Sequence, residues 1–119
     1  NPMLADGQIH GGVAQGVGQA LTENVLFHES TGQLVTGSLM DYAVPFADIL
    51  PSFEMAFHEV PCQSNPIGVK GAGEGGTVGA TPAVISAILD ALGPYGVTDI
   101  EMPATSQRIW ETITKARMD

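Results

Sequence analysis

The sequence predicts an α+β fold: a single domain over 1–119, with about three helices packed on a small mixed or antiparallel sheet. Three observations lead there. Apolar residues recur every four positions between 8 and 26, the stripe of a helix. Two later apolar patterns each open on a helix cap, the first at Thr81 followed by Pro82, the second at Thr105 or Ser106. Between the first and second helical patterns, residues 53–58 alternate apolar and polar, as a half-buried strand does.

Residues 1–8 read as an extended or frayed lead. The first helix then carries Ile9, Val13, Val17, Leu21 and Val25 on one stripe. Gly11, Gly12, Gly16 and Gly18 lie inside it. Each interior glycine costs about 1 kcal/mol relative to alanine, so this helix must gain from packing or from close approach of a ligand. Gln15 lies among these glycines and off the stripe, and periodicity alone reads it as an exposed side chain.

Residues 24–29 and 34–40 flank Ser30, Thr31 and Gly32, a hairpin-turn signal. Residues 41–51 contain two prolines and read as a loop. The alternation of Phe53, Met55 and Phe57 with Glu54, Ala56 and His58 predicts a strand extending to Val60. Val84, Ile85, Ile88, Leu89 and Leu92 form the apolar face of the helix opened by Thr81, which Gly93 and Pro94 stop. Residues 97–101 read as a short strand. The last helix carries Ile109, Trp110 and Ile113, with Lys115 and Arg117 in its final turn, where cations suit the helix dipole.

Composition narrows the function classes. Hydrophobic residues make up 44% of the chain and charged residues 14%, too apolar for a disordered protein. Four basic residues against thirteen acidic ones give a net charge of −9. That balance argues against a nucleic-acid surface and against electrostatic docking on anionic lipid. No uninterrupted apolar run approaches the roughly 20 residues of a membrane span, and no signal peptide is read. The single Cys62 leaves no internal disulfide and suits a reducing, cytoplasmic setting. The chain reads as a fragment or a processed piece.

The densest chemistry lies in residues 65–77, where five of thirteen positions are glycine and Lys70 and Glu74 are the only charges. Glycine lets backbone approach a ligand closely, and successive N–H groups in such a loop can form an anion-binding concavity. Gly71, Gly73 and Gly76 match G-x-G-x-x-G, but no strand leads in and the helix signal at Thr81 comes too late for a dinucleotide fingerprint. Thr77 and Val78 after Gly76 exclude a Walker loop. A plain flexible turn explains the glycines as well. His10, His28 and His58 show no metal-ligand spacing, and Cys62 has no partner motif, so no metal ligand is assigned.

Four segments carry a resemblance to a known family. Residues 7–21, GQIHGGVAQGVGQAL, resemble a segment near the C-terminus of molybdenum hydroxylase large subunits. Residues 68–74, GVKGAGE, resemble the loop that carries their catalytic glutamate. Residues 37–42, GSLMDY, and 102–110, MPATSQRIW, are similar too. The family is the xanthine dehydrogenase and aldehyde oxidase superfamily, and the wording resembles most the aerobic carbon monoxide dehydrogenase large-chain branch. The segments keep their order over nearly the whole chain.

The resemblance implies that 1–119 is the C-terminal molybdopterin-binding region of such a subunit. It implies a molybdenum–molybdopterin cofactor, in bacteria often the cytosine dinucleotide form, and oxidative hydroxylation of an aldehyde, an N-heterocycle or carbon monoxide. By position, Glu74 corresponds to the general base, Gln15 to a glutamine beside the pterin, and Gly71, Ala72 and Gly73 to backbone neighbours of the metal site. The implied partners are the remainder of the large subunit and iron–sulfur and flavin subunits or domains. Cys62 does not match the copper-binding cysteine loop of the carbon monoxide branch. The family's subunit is several times longer, so the isolated chain is expected to hold no cofactor and to be inactive. The alternative is a non-catalytic binding or assembly module that keeps the fold without a cofactor.

Overall fold

Two parallel helices meeting through small residues set the architecture. The computed structural model describes residues 1–118, so the last residue of the 1–119 domain lies outside the described residues. Helix α1 spans Pro2–Leu21, α2 spans Gly75–Leu92 and α3 spans Ser106–Ala116. Gly12, Gly16, Gly18 and Ala20 of α1 and Gly76, Ala80 and Leu92 of α2 are the buried positions along the first two helices. A Cβ on Gly12 would lie 3.0 Å from the backbone nitrogen of Thr77, and one on Gly76 would lie 2.6 Å from the Ile9 carbonyl oxygen. Gly12 against Thr77 and Gly16 against Ala80 advance in the same direction, so the helices run parallel. Gly12 and Gly16 therefore gain from packing against α2, which offsets their propensity cost, whereas a Cβ on Gly11 would meet nothing within 4 Å.

Both helices start earlier than their sequence signals. The lead at 1–8 is helical from Pro2, at the favoured first position for proline. Helix α1 ends at Leu21, leaving Val25 beyond it and exposed. Helix α2 begins at Gly75 and carries Pro82 inside it. Proline has no N–H to donate, so the Val78 carbonyl loses its usual donor there. Gly75–Tyr95 is long and apolar enough to cross a membrane by length and composition, with mean hydropathy 1.3. Glycine, threonine, Pro82, Ser86 and Asp90 interrupt its apolar residues, so it contains no long unbroken apolar run. The small-residue face of this helix is packed on α1.

The expected α+β fold is not what forms. Among the described residues there are three α-helices and two short 3-10 turns, Ala47–Ile49 and Gly93–Tyr95, and no strand or sheet. The hairpin exists only as one antiparallel bridge, Phe27 with Leu34. His28 donates to the Gln33 carbonyl and Val35 to the Leu26 carbonyl, both at 2.8 Å, and Gly32 makes the turn at φ 67°. An isolated two-stranded pairing of this size is marginal without a third strand or a packed face. Residues 53–60 alternate as expected but find no ladder, and Phe57 and Val60 remain more than half exposed. Residues 97–101 also lack a ladder, although Ile100 is buried.

The core is small. Leu92, Ile100 and Ala104 form its buried centre, with Leu21, Ile85, Ile88, Ile109 and Ile113 against it. Ala104 donates to the Ala20 carbonyl at 2.6 Å, fastening the approach to α3 onto the end of α1. Thr105 caps α3 as the sequence predicts, its hydroxyl oxygen accepting from the Arg108 N–H at 3.2 Å. The radius of gyration is 18.2 Å, against about 13–14 Å for a compact domain of this length.

Candidate functional site

The candidate residues gather around the first turns of α2. Glu74 is the residue before the helix, with φ −104° and ψ −11°, and its carbonyl accepts the N–H of Val78 at 3.1 Å. Its side chain is exposed. The first N–H groups of a helix have no partner within it, and their dipole favours negative charge. The loop and this helix start thus present backbone donors next to a carboxylate.

Three residues after Glu74, the Thr77 hydroxyl lies 3.0 Å from the Gly12 carbonyl oxygen and 3.1 Å from Gln15 Oε1. One turn on, the Thr81 hydroxyl lies 3.3 Å from the Gly16 carbonyl and 3.2 Å from Gln19 Oε1. The spacing of four is the same on both helices, so the seam holds two equivalent polar rungs. Gln15 is exposed, as periodicity predicts, and is also tied to α2.

Gly71, Ala72 and Gly73 are exposed, and a Cβ on Gly71 or Gly73 would meet nothing within 4 Å. The approach to them is braced. Asn65 accepts from the Val69 N–H at 3.1 Å and donates to the Val69 carbonyl at 3.0 Å, while Gly68 turns at φ 69°. Cys62 donates its N–H to the Gly68 carbonyl at 3.0 Å, and its Sγ lies 3.0 Å from the Ser64 hydroxyl. The Ser64 hydroxyl and then the Ser64 backbone N–H hold the Cys62 thiol below its usual range, with help from Asn65 and against a smaller effect of burial. A cavity of about 460 Å³ borders this loop, lined by Ala5, Phe57, His58, Lys70, Gly71 and Ala72 among others.

A larger hollow lies elsewhere. It is an open groove of about 680 Å³ lined by Ile9, Val13, Val17, Leu50, Phe53 and Val84 among others, and it includes neither Glu74 nor Gln15. Its walls are nearly all apolar, so it offers packing rather than catalysis. The loop at 38–46 is tied to the end of α1 by a separate set of contacts. Tyr42 donates its hydroxyl to Glu23 Oε2 at 2.6 Å, and Thr22 donates to the Ala43 carbonyl at 2.7 Å.

No group of three His, Cys, Asp or Glu side chains among the described residues could hold a metal ion. A metal carried by an organic cofactor needs no such cage. It needs backbone donors, open glycine and a few amide or carboxylate side chains, and residues 71–77 together with Gln15 fit that description.

Residues 1–51 match the family described as a molybdopterin cofactor-binding domain. The nicotine 6-hydroxylase large subunit of Paenarthrobacter nicotinovorans is 43% identical over 109 residues, which cover 92% of this chain and 13% of that protein. The carbon monoxide dehydrogenase large chain of Hydrogenophaga pseudoflava is 39% identical over 113 residues, covering 95% of this chain and 14% of that one. The chain belongs to the molybdenum hydroxylase large-subunit family. The crystal structure of quinoline 2-oxidoreductase from Pseudomonas putida 86 superposes with a TM-score of 0.90 at 41% identity, over 97% of this chain and 14% of that one. The chain thus spans about one-seventh of the length of the relatives it matches.

Thr77 and Gln19 are site neighbours that the sequence did not mark as such, and Thr81, expected as a helix cap, lies inside α2 instead. Their signal is present: threonine at 77 and 81, glutamine at 15 and 19, and glycine at 12 and 16 share one period. The period becomes informative only once the two helices are known to be parallel and in contact.

Proposed function

We propose that this chain forms one wall of a molybdopterin site in a molybdenum hydroxylase large subunit, taking part in oxidative hydroxylation of an aldehyde, an N-heterocycle or carbon monoxide. The observation that carries the reading is the meeting of Gln15 with the first turn of α2, three residues after Glu74. We assign 1–119 as the C-terminal molybdopterin-binding region, with Glu74 as general base. Gln15 and the backbone of Gly71, Ala72 and Gly73 are the cofactor contacts.

When bound, the cofactor supplies the redox-active metal and takes up the electrons removed from substrate. The chain's own residues do the rest of the work assigned here. The Glu74 carboxylate takes up a proton released as the substrate is attacked. The open backbone at Gly71 and Gly73 lets N–H groups approach the cofactor without a side chain in the way. The Gln15 carboxamide both donates and accepts, which suits a heteroatom-rich pterin edge.

The assignment extends to a cytosine dinucleotide form of the pterin and to a cytoplasmic setting. Its partners are the remainder of the large subunit and iron–sulfur and flavin subunits. The exposed apolar residues, Leu39, Met40, Ile67 and Val69 among them, support a chain that packs on further protein. The non-catalytic module is the less favoured reading, because the nicotine 6-hydroxylase and carbon monoxide dehydrogenase relatives are enzyme subunits by name. Metal and pterin analysis of the complete subunit purified with its partners tests the proposal. About one molybdenum and one pterin per large subunit is the expected result, and a cofactor-free, stably assembled subunit would overturn it.

A further inference from the structure

We infer that Thr77 is a positioning residue for Gln15: its hydroxyl fixes the carboxamide so that the amide's donor end is available to the cofactor. The inference rests on the reading of Gln15 as a cofactor contact. An exposed glutamine loses rotamer entropy when a ligand orders it. A bond already made to the protein removes part of that cost before the ligand arrives.

The geometry suits this role. Thr77 Oγ1 lies 3.1 Å from Gln15 Oε1 and 3.0 Å from the Gly12 carbonyl oxygen. The hydroxyl has one proton to give. Given to Oε1, it leaves Nε2 with its two hydrogens for a hydrogen-bond acceptor on the pterin. The approach is possible because Gly12 and Gly76 bring the helix backbones together; a Cβ on Gly12 would lie 3.1 Å from the Gly76 Cα. Thr77 also belongs to the first turn after Glu74, so it ties the proposed base and the proposed cofactor contact to one frame.

The second rung provides an internal control. Thr81 lies 3.2 Å from Gln19 Oε1 and 3.3 Å from the Gly16 carbonyl, a matching pairing one turn further from Glu74, with the Thr77 carbonyl as a further acceptor at 3.3 Å. If the threonines only hold the helices together, both rungs matter equally. If Thr77 positions Gln15 for the cofactor, only the first rung affects cofactor retention.

The test uses the complete, cofactor-loaded large subunit with its partners. Thr77→Val, Thr77→Ser, Thr81→Val and Gln15→Ala are compared for molybdopterin released on dialysis and for thermal midpoint. Thr77→Val should release the pterin about three- to tenfold faster than the parent, the scale of one net hydrogen bond. Thr77→Ser should stay within about twofold of the parent on the same scale. Thr81→Val should lower the midpoint about as much as Thr77→Val without matching its pterin loss. Should Thr77→Val not assemble, Thr77→Ala removes the hydroxyl without adding bulk against Gly12. Equal pterin loss in the Thr77→Val and Thr81→Val variants would overturn the inference. So would parental retention in Thr77→Val beside rapid loss in Gln15→Ala, and the role of Gln15 would then stand alone. Parental retention in Gln15→Ala would remove the reading of Gln15 itself, and the role of Thr77 with it.

Discussion

Gly16 of α1 faces Ala80 of α2 so closely that a Cβ on Gly16 would lie 2.7 Å from the Ala80 methyl. The Thr77 carbonyl oxygen and the Thr81 nitrogen would each be 3.0 Å from the same atom. Two of these three neighbours are backbone and cannot turn away. The glycine is required by the partner helix rather than by its own backbone angles.

Gly16→Ala is therefore expected to destabilise the fold. Alanine gains about 1 kcal/mol of helix propensity, but forcing the seam apart costs typically 1–3 kcal/mol, and the second rung at Thr81 is stretched as well. Gly11 is the contrasting case, since a Cβ there meets nothing within 4 Å. Gly11→Ala should raise stability by about 0.5–1 kcal/mol. Chemical unfolding of both variants checks the pair, and a Gly16→Ala protein at least as stable as Gly11→Ala would contradict the packing argument.

The same seam explains what could be read in the sequence and what could not. The stripe Ile9, Val13, Val17 and Leu21 is a local pattern, and α1 forms around it. The cap at Thr105 is local too, and α3 starts beside it. The first turns of α2 hold Gly75, Gly76 and Gly79, poor helix formers, and Gly76 among them is packed against the α1 backbone. The strand signals failed for a related reason. Alternation belongs to a segment, but a ladder belongs to a pair, and residues 53–60 have no neighbouring strand among those described. Glu74 and Gln15 stood out through the wording of their segments, whereas Thr77 sits 62 residues from Gln15 and acquires meaning only when the two touch.

Tyr42 should make the end of α1 sensitive to alkali. Its hydrogen bond to Glu23, then burial, then the Glu23 charge raise its pKa above the usual 10.0. A raised pKa in the folded state means that the protonated phenol is the stabilising form. Its contribution is fully present below pH 10 and is lost as pH rises through the folded value. Tyr42→Phe should flatten the fall in thermal midpoint above about pH 10. An unchanged alkaline slope in Tyr42→Phe would assign that loss to other groups.

Cys62 should react as a partly activated thiol. The Ser64 hydroxyl and backbone N–H lower its pKa from the usual 9.0, and the thiolate is the nucleophile. The rate of alkylation by iodoacetamide should therefore reach half its plateau at lower pH in the parent than in Ser64→Ala. Superimposable pH profiles would show that the Ser64 hydroxyl does not stabilise the thiolate.

Glu74→Gln should nearly abolish turnover in the assembled enzyme while molybdenum and pterin stay in place. The substitution preserves size and removes the carboxylate proposed as the base. Loss of a general base typically costs about 10²–10⁴-fold in rate. The side chain is exposed in this structure, and an exposed substitution away from special features usually changes stability by no more than about 0.5 kcal/mol. Folding and chemistry are thus separable at this position: a normal thermal midpoint with a full cofactor load and a collapsed rate identifies the base. The rate to measure is substrate reduction of the cofactor in a single turnover, which excludes electron transfer to the partner subunits. A mutant within about threefold of the parent, a gap of less than 1 kcal/mol, would move the base to another residue.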